Sequence, residues 1–277
     1  TTFWKDAIGR LMKNKVAVVC FFIIVLLILS CIIVPFFSPF ESREQHLGEV
    51  NKGFMTVCTD SRYEGQHHVH YFGTDNLGRD LFLRAFEGGR VSLMIAFAAV
   101  FVNLIVGLIY GGISGYIGGA VDTIMMRIVE IVNGIPYLIV VILLMMVLPK
   151  GIFTMVVAYG ITGWTGMARL VRGQVLQLNN AGKKRDEANA LRISIAKHLI
   201  PNALSVIIIN VTLAIPSAIF TEAFLSYIGL GVPVPQPSWG VLAKGGQDVF
   251  MTYPYQLVVP AVAISLTMLS FNLLGDG

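Results

Sequence analysis

The sequence predicts an all-α, polytopic membrane protein with about six transmembrane helices. Of its 277 residues, 55% are hydrophobic and only 13% are charged, and its mean hydropathy is +0.74. Soluble domains carry about 25% charged residues, so this chain has too few polar groups to cover a globular surface in water. Lipid must therefore replace water around much of the protein.

Six apolar runs are long enough to cross a bilayer, whose hydrocarbon core requires about 20 residues of α-helix. Their predicted bounds are 16–34, 92–113, 121–148, 152–170, 201–228 and 255–274. Pro136 and Pro216 lie inside two of these runs. Proline is tolerated there because neighbouring helices can satisfy the backbone groups that it frees.

The predicted organisation has four parts and a defined orientation. They are a cytoplasmic segment at 1–15, a first transmembrane helix at 16–37, an extracytoplasmic loop at 38–90 with an amphipathic interfacial segment at 78–86, and a five-helix core at 91–277. Lysine and arginine cluster before the first span and around the loop at 178–201, whereas the loop between the last two spans offers only Lys244. Basic residues mark the cytoplasmic side, so the N-terminus and the loop at 178–201 are predicted to be cytoplasmic.

Several functions are disfavoured by the motifs that the sequence lacks. The net charge of +4 is small and is explained by basic loops rather than by nucleic-acid binding. The sequence contains no G-x-x-x-x-G-K-[ST] phosphate loop, no H-E-x-x-H and no G-x-S-x-G. We therefore expect neither enzymatic activity nor a cofactor in this chain, and if ATP is used, other chains must hydrolyse it.

A histidine cluster in the extracytoplasmic loop invites a metal hypothesis. His67, His68 and His70 lie close together, with Cys58 upstream. Their spacing matches no standard zinc pattern, so we interpret the cluster as part of a solvated loop and predict no metal site.

Polar residues inside apolar runs are costly and are therefore candidates for function. Arg127 and Glu130 are three residues apart and are predicted to form a local pair, either structural or at a subunit interface. Glu222 is a candidate for lining the translocation pathway or for tying the fifth span to a partner subunit. Three asparagines are interpreted as interhelical hydrogen-bonding groups: Asn103, Asn133 and Asn210. Asn210 is also a candidate for the translocation pathway or a subunit interface.

The loop at 178–201 contains a candidate docking segment, formed by Glu187, Ala188, Ala190 and Leu191. Small residues beside a carboxylate, on a short helix between two spans, suit insertion into a groove on a partner protein. Composition alone leaves a second interpretation open, in which the segment is an ordinary solvated loop whose basic residues only reflect the positive-inside rule.

Several sequence blocks resemble the permeases of ABC importers. Phe-Gly-Thr-Asp-Asn-Leu-Gly-Arg-Asp at 72–80 is similar to the FGTDxxGRD signature of oligopeptide and dipeptide permeases. The segment 186–191 resembles the EAA loop, the coupling helix that seats in the ATP-hydrolysing subunit. Further blocks follow at 89–94, 114–127, 168–174, 222–231 and 238–240. The resemblance covers about 70–277 and is strongest to the C-type permease of oligopeptide importers.

This resemblance implies a type I ABC-importer permease fold and a role in ATP-driven uptake of oligopeptides. The expected partners are a second homologous permease, two ATP-binding subunits, an extracytoplasmic peptide-binding protein and membrane lipid, with no nucleic acid. The expected location is the bacterial inner (cytoplasmic) membrane. Glu187, Ala188, Ala190 and Leu191 would couple the permease to the ATPases.

The sequence departs from the family pattern in two places. From Glu187 to Pro201 it is about five residues shorter than the pattern, and Gly182 precedes Glu187 where the pattern has a later glycine. Family members also continue beyond residue 277 with a short cytoplasmic tail, so we expect this sequence to be truncated before that tail.

Other functions remain open at this point. Permeases for dipeptides, nickel or metal chelates look similar. A stand-alone secondary transporter is disfavoured by the few candidate carboxylates near the membrane midplane and by the lack of an evident inverted pair of broken helices. A membrane-anchored receptor would need one span rather than six.

Overall fold

The computed structural model describes residue 9 and residues 11–59, 68–183 and 200–276, and these residues form helices and one small hairpin. The helices are α1 (Lys15–Phe37), α2 (Leu81–Ile117), α3 (Gly119–Asn133), α4 (Tyr137–Val147), α5 (Ile152–Thr162), α6 (Trp164–Lys183), α7 (Ile200–Tyr227), α8 (Trp239–Asp248) and α9 (Tyr255–Asp276). The strands β1 (Thr56–Val57) and β2 (Val69–His70) pair antiparallel, with Thr56 opposite His70. A 3₁₀ turn, Leu47–Glu49, precedes β1.

Four helices of the described chain are long and apolar enough to cross a membrane: α1, α2, the 206–227 part of α7, and α9. The pair α3 and α4 adds a fifth if it is one span bent by 78°. All six predicted apolar runs lie in helices, which confirms the all-α membrane architecture. The fourth run, however, is divided, because α5 ends at Thr162 and α6 begins at Trp164.

Helix α1 shows why these segments suit lipid. The side chain of Asn14 caps it by accepting hydrogen bonds from the backbone N–H groups of Val16 and Ala17. Apolar residues surround the helix on all sides, and many of them, such as Phe22 and Leu26, are exposed. A helix that is apolar all round but exposed over much of its surface is typical of a membrane span.

Helix α2 is the central element and differs from the prediction at its start. Its 37 residues correspond to about 55 Å, whereas the hydrocarbon core is about 30 Å thick. The segment at 78–86 is predicted to lie along the membrane interface, but from Leu81 onward it forms the first turns of α2. Asp80 caps the helix, and Leu83 and Arg84 are buried, so the segment continues directly into the span.

The core lies on both sides of α2. On one side, Leu93 and Ala96 of α2 pack with residues of α1, α7, α8 and α9. On the other, Val91 and Ile95 pack with residues of α4, α5 and α7. Since one helix contributes to both clusters, α2 holds the other helices in their relative positions.

Candidate functional site

The candidate coupling residues Glu187, Ala188, Ala190 and Leu191 lie outside the described residues. What the structure describes is their connection to the helices on either side. Helix α6 ends at Lys183 and α7 begins at Ile200, so the segment 184–199 joins these two helices.

An ion pair connects α6 to α3. Arg172 donates from Nη2 to Oδ2 of Asp122 at 2.5 Å, and from Nε to the other carboxylate oxygen. Ser114 of α2 also donates to Asp122. The two charged side chains are 32% and 12% exposed, respectively. This brace therefore joins three helices, one of which leads directly into the segment 184–199.

Sequence reasoning missed this brace. Asp122 and Arg172 each fall in a block that resembles the permease family, but they are 50 residues apart. Their opposite charges were the one feature of the sequence that could have suggested an ion pair, and their spacing along the chain gave no reason to expect one.

Glu222 lies at a second polar centre, where it joins α7 to α2. Its side chain is 1% exposed, so in this conformation it does not reach a surface on which a pathway or a partner would lie. Ser92 donates to it at 2.6 Å and Ser226 at 2.7 Å. The backbone N–H of Trp239, at the start of α8, donates to Ser92 Oγ at 3.2 Å. A pathway or interface role for Glu222 stays a prediction. In this structure the residue belongs to a buried hydrogen-bond network that connects α2, α7 and α8.

Arg127 and Glu130 form the predicted local pair on α3. Arg127 Nη1 donates to Glu130 Oε2 at 2.7 Å, and the side chains are 74% and 60% exposed. The pair is thus available to another chain, and its interface role stays a prediction.

The asparagines differ in their surroundings. Asn133 accepts a hydrogen bond from Thr165 Oγ1 of α6 at 2.7 Å, which confirms its interhelical role. Asn103 is buried beside Gly163, between α5 and α6. Asn210 is partly exposed on α7, and its interhelical role stays a prediction.

The solvated-loop interpretation is wrong for His70. Its side chain is fully buried, with Nδ1 2.7 Å from Asp80 Oδ2 and Nε2 2.9 Å from Glu49 Oε2. The ring of Phe40 stacks on the imidazole. The histidine is enclosed because the hairpin brings it between two carboxylates; His67 lies outside the described residues.

The contacts around His70 shift the pKa values of both His70 and Glu49. Burial opposes the charged imidazole, but hydrogen bonds to Asp80 and Glu49 raise the pKa of His70 above its ordinary value. Burial would also raise the pKa of Glu49, but hydrogen bonds from the backbone N–H of Thr59 and from His70 hold it below its ordinary value. Sequence reasoning missed Glu49, which lies outside every family-like block.

The described parts of the segment 38–80 are tied to the helices rather than loosely attached. Arg84 of α2 donates to the Ser42 carbonyl at 2.7 Å. The hydroxyl of Tyr255, the first residue of α9, donates to the Lys52 carbonyl at 2.7 Å. The position of the segment is thus fixed by both α2 and α9.

Two family models match this chain. One, described as the N-terminal TM domain of oligopeptide transport permease C, matches residues 2–53. The other, described as binding-protein-dependent transport system inner membrane component, matches residues 107–277. The chain belongs to this family of inner membrane transport components.

Curated relatives in the same family match the full length of the chain. An oligopeptide transport system permease protein OppC of Bacillus subtilis is 46% identical, and the match covers 100% of this chain and 88% of the relative. A dipeptide transport system permease protein DppC of the same organism is 45% identical, covering 100% and 84%. An OppC protein of Escherichia coli is 40% identical, covering 100% and 89%.

A solved structure confirms the fold expected for the family. A chain of the MetNI methionine ABC transporter, in an inward-facing conformation, superposes with a TM-score of 0.50 and 20% sequence identity. The match covers 68% of this chain and 91% of that chain. The chain thus has the type I ABC-importer permease fold.

Proposed function

We propose that this chain is the membrane-spanning permease subunit of an ATP-driven importer of oligopeptides and forms half of the translocation pathway. The observation that carries this proposal is the full-length match, at 46% identity, to a relative named as an oligopeptide permease. The match includes the N-terminal region, where the family description itself names oligopeptide transport permease C.

The segment 184–199 is proposed to dock on a cytoplasmic ATPase. It contains Glu187, Ala188, Ala190 and Leu191, and it joins α6 to α7. Closure of two ATPases on ATP would move this segment, and the pathway would switch between inward-facing and outward-facing states by a rigid-body change of the spans. The brace between Arg172 and Asp122 supports this mechanism, because it would carry a movement of α6 to α3.

The proposed partners fit surfaces that the isolated chain leaves exposed. Helices α3 and α4 present large apolar side chains, including Ile131, Met146 and Val147, which would be covered by lipid or by a second, homologous permease. The predicted extracytoplasmic segment, residues 38–80 (the outer segment), and the 229–252 loop would face an extracytoplasmic peptide-binding protein. We accordingly propose an inner-membrane location with a cytoplasmic N-terminus, which the basic residues before the first span support.

Co-purification tests the proposal directly. The tagged chain is extracted in mild detergent, and the proteins that accompany it are identified by mass spectrometry. We expect a second permease and ATPases with phosphate-binding loops. Recovery of the chain alone, in several detergents, would contradict the importer assignment and favour a stand-alone carrier.

Uptake by cells tests the substrate class. A strain that lacks this chain should lose uptake of labelled oligopeptides and regain it when the gene is returned. Loss of growth on limiting nickel with unchanged peptide uptake would replace the peptide assignment with a metal-chelate one.

A further inference from the structure

The outer segment gathers three buried side chains with metal-binding atoms. The histidine nitrogen of His46, a carboxylate oxygen of Glu49 and the sulfur of Cys58 all lie within 4.8 Å of one another. Their residues are only 1%, 2% and 8% exposed. Burial is ordinary for cysteine, but glutamate is almost never fully buried unless it is paired, so the position of Glu49 beside His46 and Cys58 calls for an explanation.

Local backbone structure explains how they meet. His46 directly precedes the 3₁₀ turn that ends at Glu49, and the backbone N–H of Glu49 donates to the His46 carbonyl at 2.7 Å. Residues three apart in a 3₁₀ turn lie above one another, so this turn projects both side chains to the same side. Cys58 directly follows β1, and its backbone N–H donates to the His68 carbonyl at 2.8 Å. The hairpin thus holds the sulfur opposite the turn.

We propose that His46, Glu49 and Cys58 bind a divalent transition-metal ion of borderline softness, with Zn²⁺ as the best fit. Imidazole nitrogen, thiolate sulfur and carboxylate oxygen are the three ligand types of protein zinc sites. Calcium and magnesium prefer oxygen ligands only, so a nitrogen and a sulfur at the site disfavour them. Three protein ligands leave a fourth tetrahedral position for water.

The geometry requires only a small contraction. Zinc–ligand distances of about 2.0–2.3 Å place tetrahedral ligand atoms about 3.3–3.8 Å apart. The three atoms already lie within 4.8 Å, so movements of about 1 Å bring them to these distances.

The groups around Glu49 resemble the outer shell of a metal site. His70 lies 2.9 Å from one oxygen of Glu49 and is itself held by Asp80 at 2.7 Å. The hydroxyl of Thr59 donates to the other oxygen at 2.9 Å. Hydrogen-bonded partners of this kind fix the orientation of a ligand and strengthen metal binding.

This site revises the prediction of no metal and differs from the one that the sequence suggested. The sequence draws attention to His67, His68 and His70 with Cys58. The structure keeps Cys58 but replaces the histidine cluster with His46 and Glu49, which lie upstream in a segment without a recognisable motif. A bound ion would clip the 3₁₀ turn to the hairpin, an effect that does not depend on the transported substrate.

Metal binding by the full chain, purified in detergent with the partners that accompany it, tests the proposal. After dialysis against metal-free buffer, which removes loosely bound metal, we expect one tightly bound Zn²⁺ per chain by elemental mass spectrometry. Loading with Co²⁺ instead should give a sulfur-to-cobalt charge-transfer band and the visible bands of tetrahedral cobalt. A wild-type chain without stoichiometric zinc, or a cobalt complex without the sulfur band, would overturn the proposal, and neither result depends on a variant that folds.

Variants then locate the site. Cys58→Ser and His46→Gln should each weaken zinc binding by at least about tenfold, the smallest effect typical of changes around a metal site. Cys20→Ser, in α1, and His68→Gln, on the same hairpin, should bind zinc like the wild type. Wild-type affinity in both Cys58→Ser and His46→Gln would show that the zinc is bound elsewhere and would overturn the assignment.

Discussion

Ser92 on α2 donates a hydrogen bond to Glu222 on α7 at 2.6 Å, although the two residues are 130 positions apart in the sequence. The same serine oxygen accepts from the backbone N–H of Trp239. A single hydroxyl thereby connects α2 with both α7 and the start of α8. The Glu222 carboxyl and the Trp239 N–H are buried, so if the Ser92 hydroxyl were removed, water would not readily replace it as their hydrogen-bond partner.

Replacing this hydroxyl should destabilise the protein. Ser92→Ala leaves a buried carboxylate oxygen and a buried N–H each short of a partner, which costs about 1–3 kcal/mol. We expect a lower apparent melting temperature of the purified protein in detergent. Ser30→Ala is the matched control, because the Ser30 hydroxyl donates to the Leu26 carbonyl of its own helix. Equal melting temperatures for the two variants would contradict a stabilising role for Ser92.

Close packing between α2 and α6 gives a second prediction. A Cβ atom at Gly111 would lie 2.2 Å from the Ala168 carbonyl oxygen, whereas a Cβ at Gly112 would meet nothing within 4 Å. Gly111→Ala should therefore force the helices apart and destabilise the protein by about 1–3 kcal/mol. Gly112→Ala should be neutral or slightly stabilising, because alanine favours helix over glycine. The comparison of their melting temperatures checks this, and a Gly111→Ala variant as stable as Gly112→Ala would refute the close contact.

The sequence was sufficient for features that depend on local pattern. Apolar runs located the helices, because a span needs a fixed number of apolar residues. The pair between Arg127 and Glu130 followed from their spacing of three residues on one helix. The break between α5 and α6 was not predicted, because the apolar run continues across Gly163.

Features that depend on tertiary packing were not accessible in the same way. Asp122 and Arg172 meet only after α3 and α6 have packed. His70 lies in a polar stretch that predicts solvent exposure, yet it is buried because Glu49 and Asp80 approach it from different segments. No periodicity in a single sequence records such distant pairs.

The Asp122–Arg172 brace should matter for both stability and transport. Arg172→Gln removes a charged partner from a partly buried carboxylate, with an expected cost of about 1–3 kcal/mol. Arg169→Gln is the control, since Arg169 is an exposed residue of the same helix. Melting temperatures in detergent and peptide uptake in cells measure the two effects. If Arg169→Gln and Arg172→Gln lose stability and uptake equally, general basicity of α6 rather than the brace is responsible.

Asp80 has two tasks that two substitutions can separate. Its Oδ1 accepts from the backbone N–H of Leu83 and caps α2, while its Oδ2 contacts His70. Asp80→Asn retains an oxygen for the cap and replaces a charged partner of His70 with a neutral one, whereas Asp80→Ala removes both interactions. The free energy of unfolding of Asp80→Ala should be about 1 kcal/mol lower than that of Asp80→Asn, because an N-cap typically contributes about this much. Thermal unfolding measures the difference, and identical values would show that the cap contributes little.

Coupling to the ATPases gives the last prediction, which follows from the proposed function. Glu187→Ala should reduce peptide uptake by roughly tenfold, the effect of losing about 1.4 kcal/mol at a docking contact. Affinity for the proposed extracytoplasmic binding protein should not change, because the proposed topology puts the substitution on the opposite side of the membrane. Asp186→Ala is the matched control, since it removes a neighbouring carboxylate that lies outside the proposed coupling set. Uptake and ATP hydrolysis are measured together in reconstituted vesicles. Uptake at the wild-type rate in Glu187→Ala would show that this residue does not couple the permease to ATP hydrolysis. Equal losses of uptake in Glu187→Ala and Asp186→Ala would show that the charge of the whole segment matters rather than Glu187 itself.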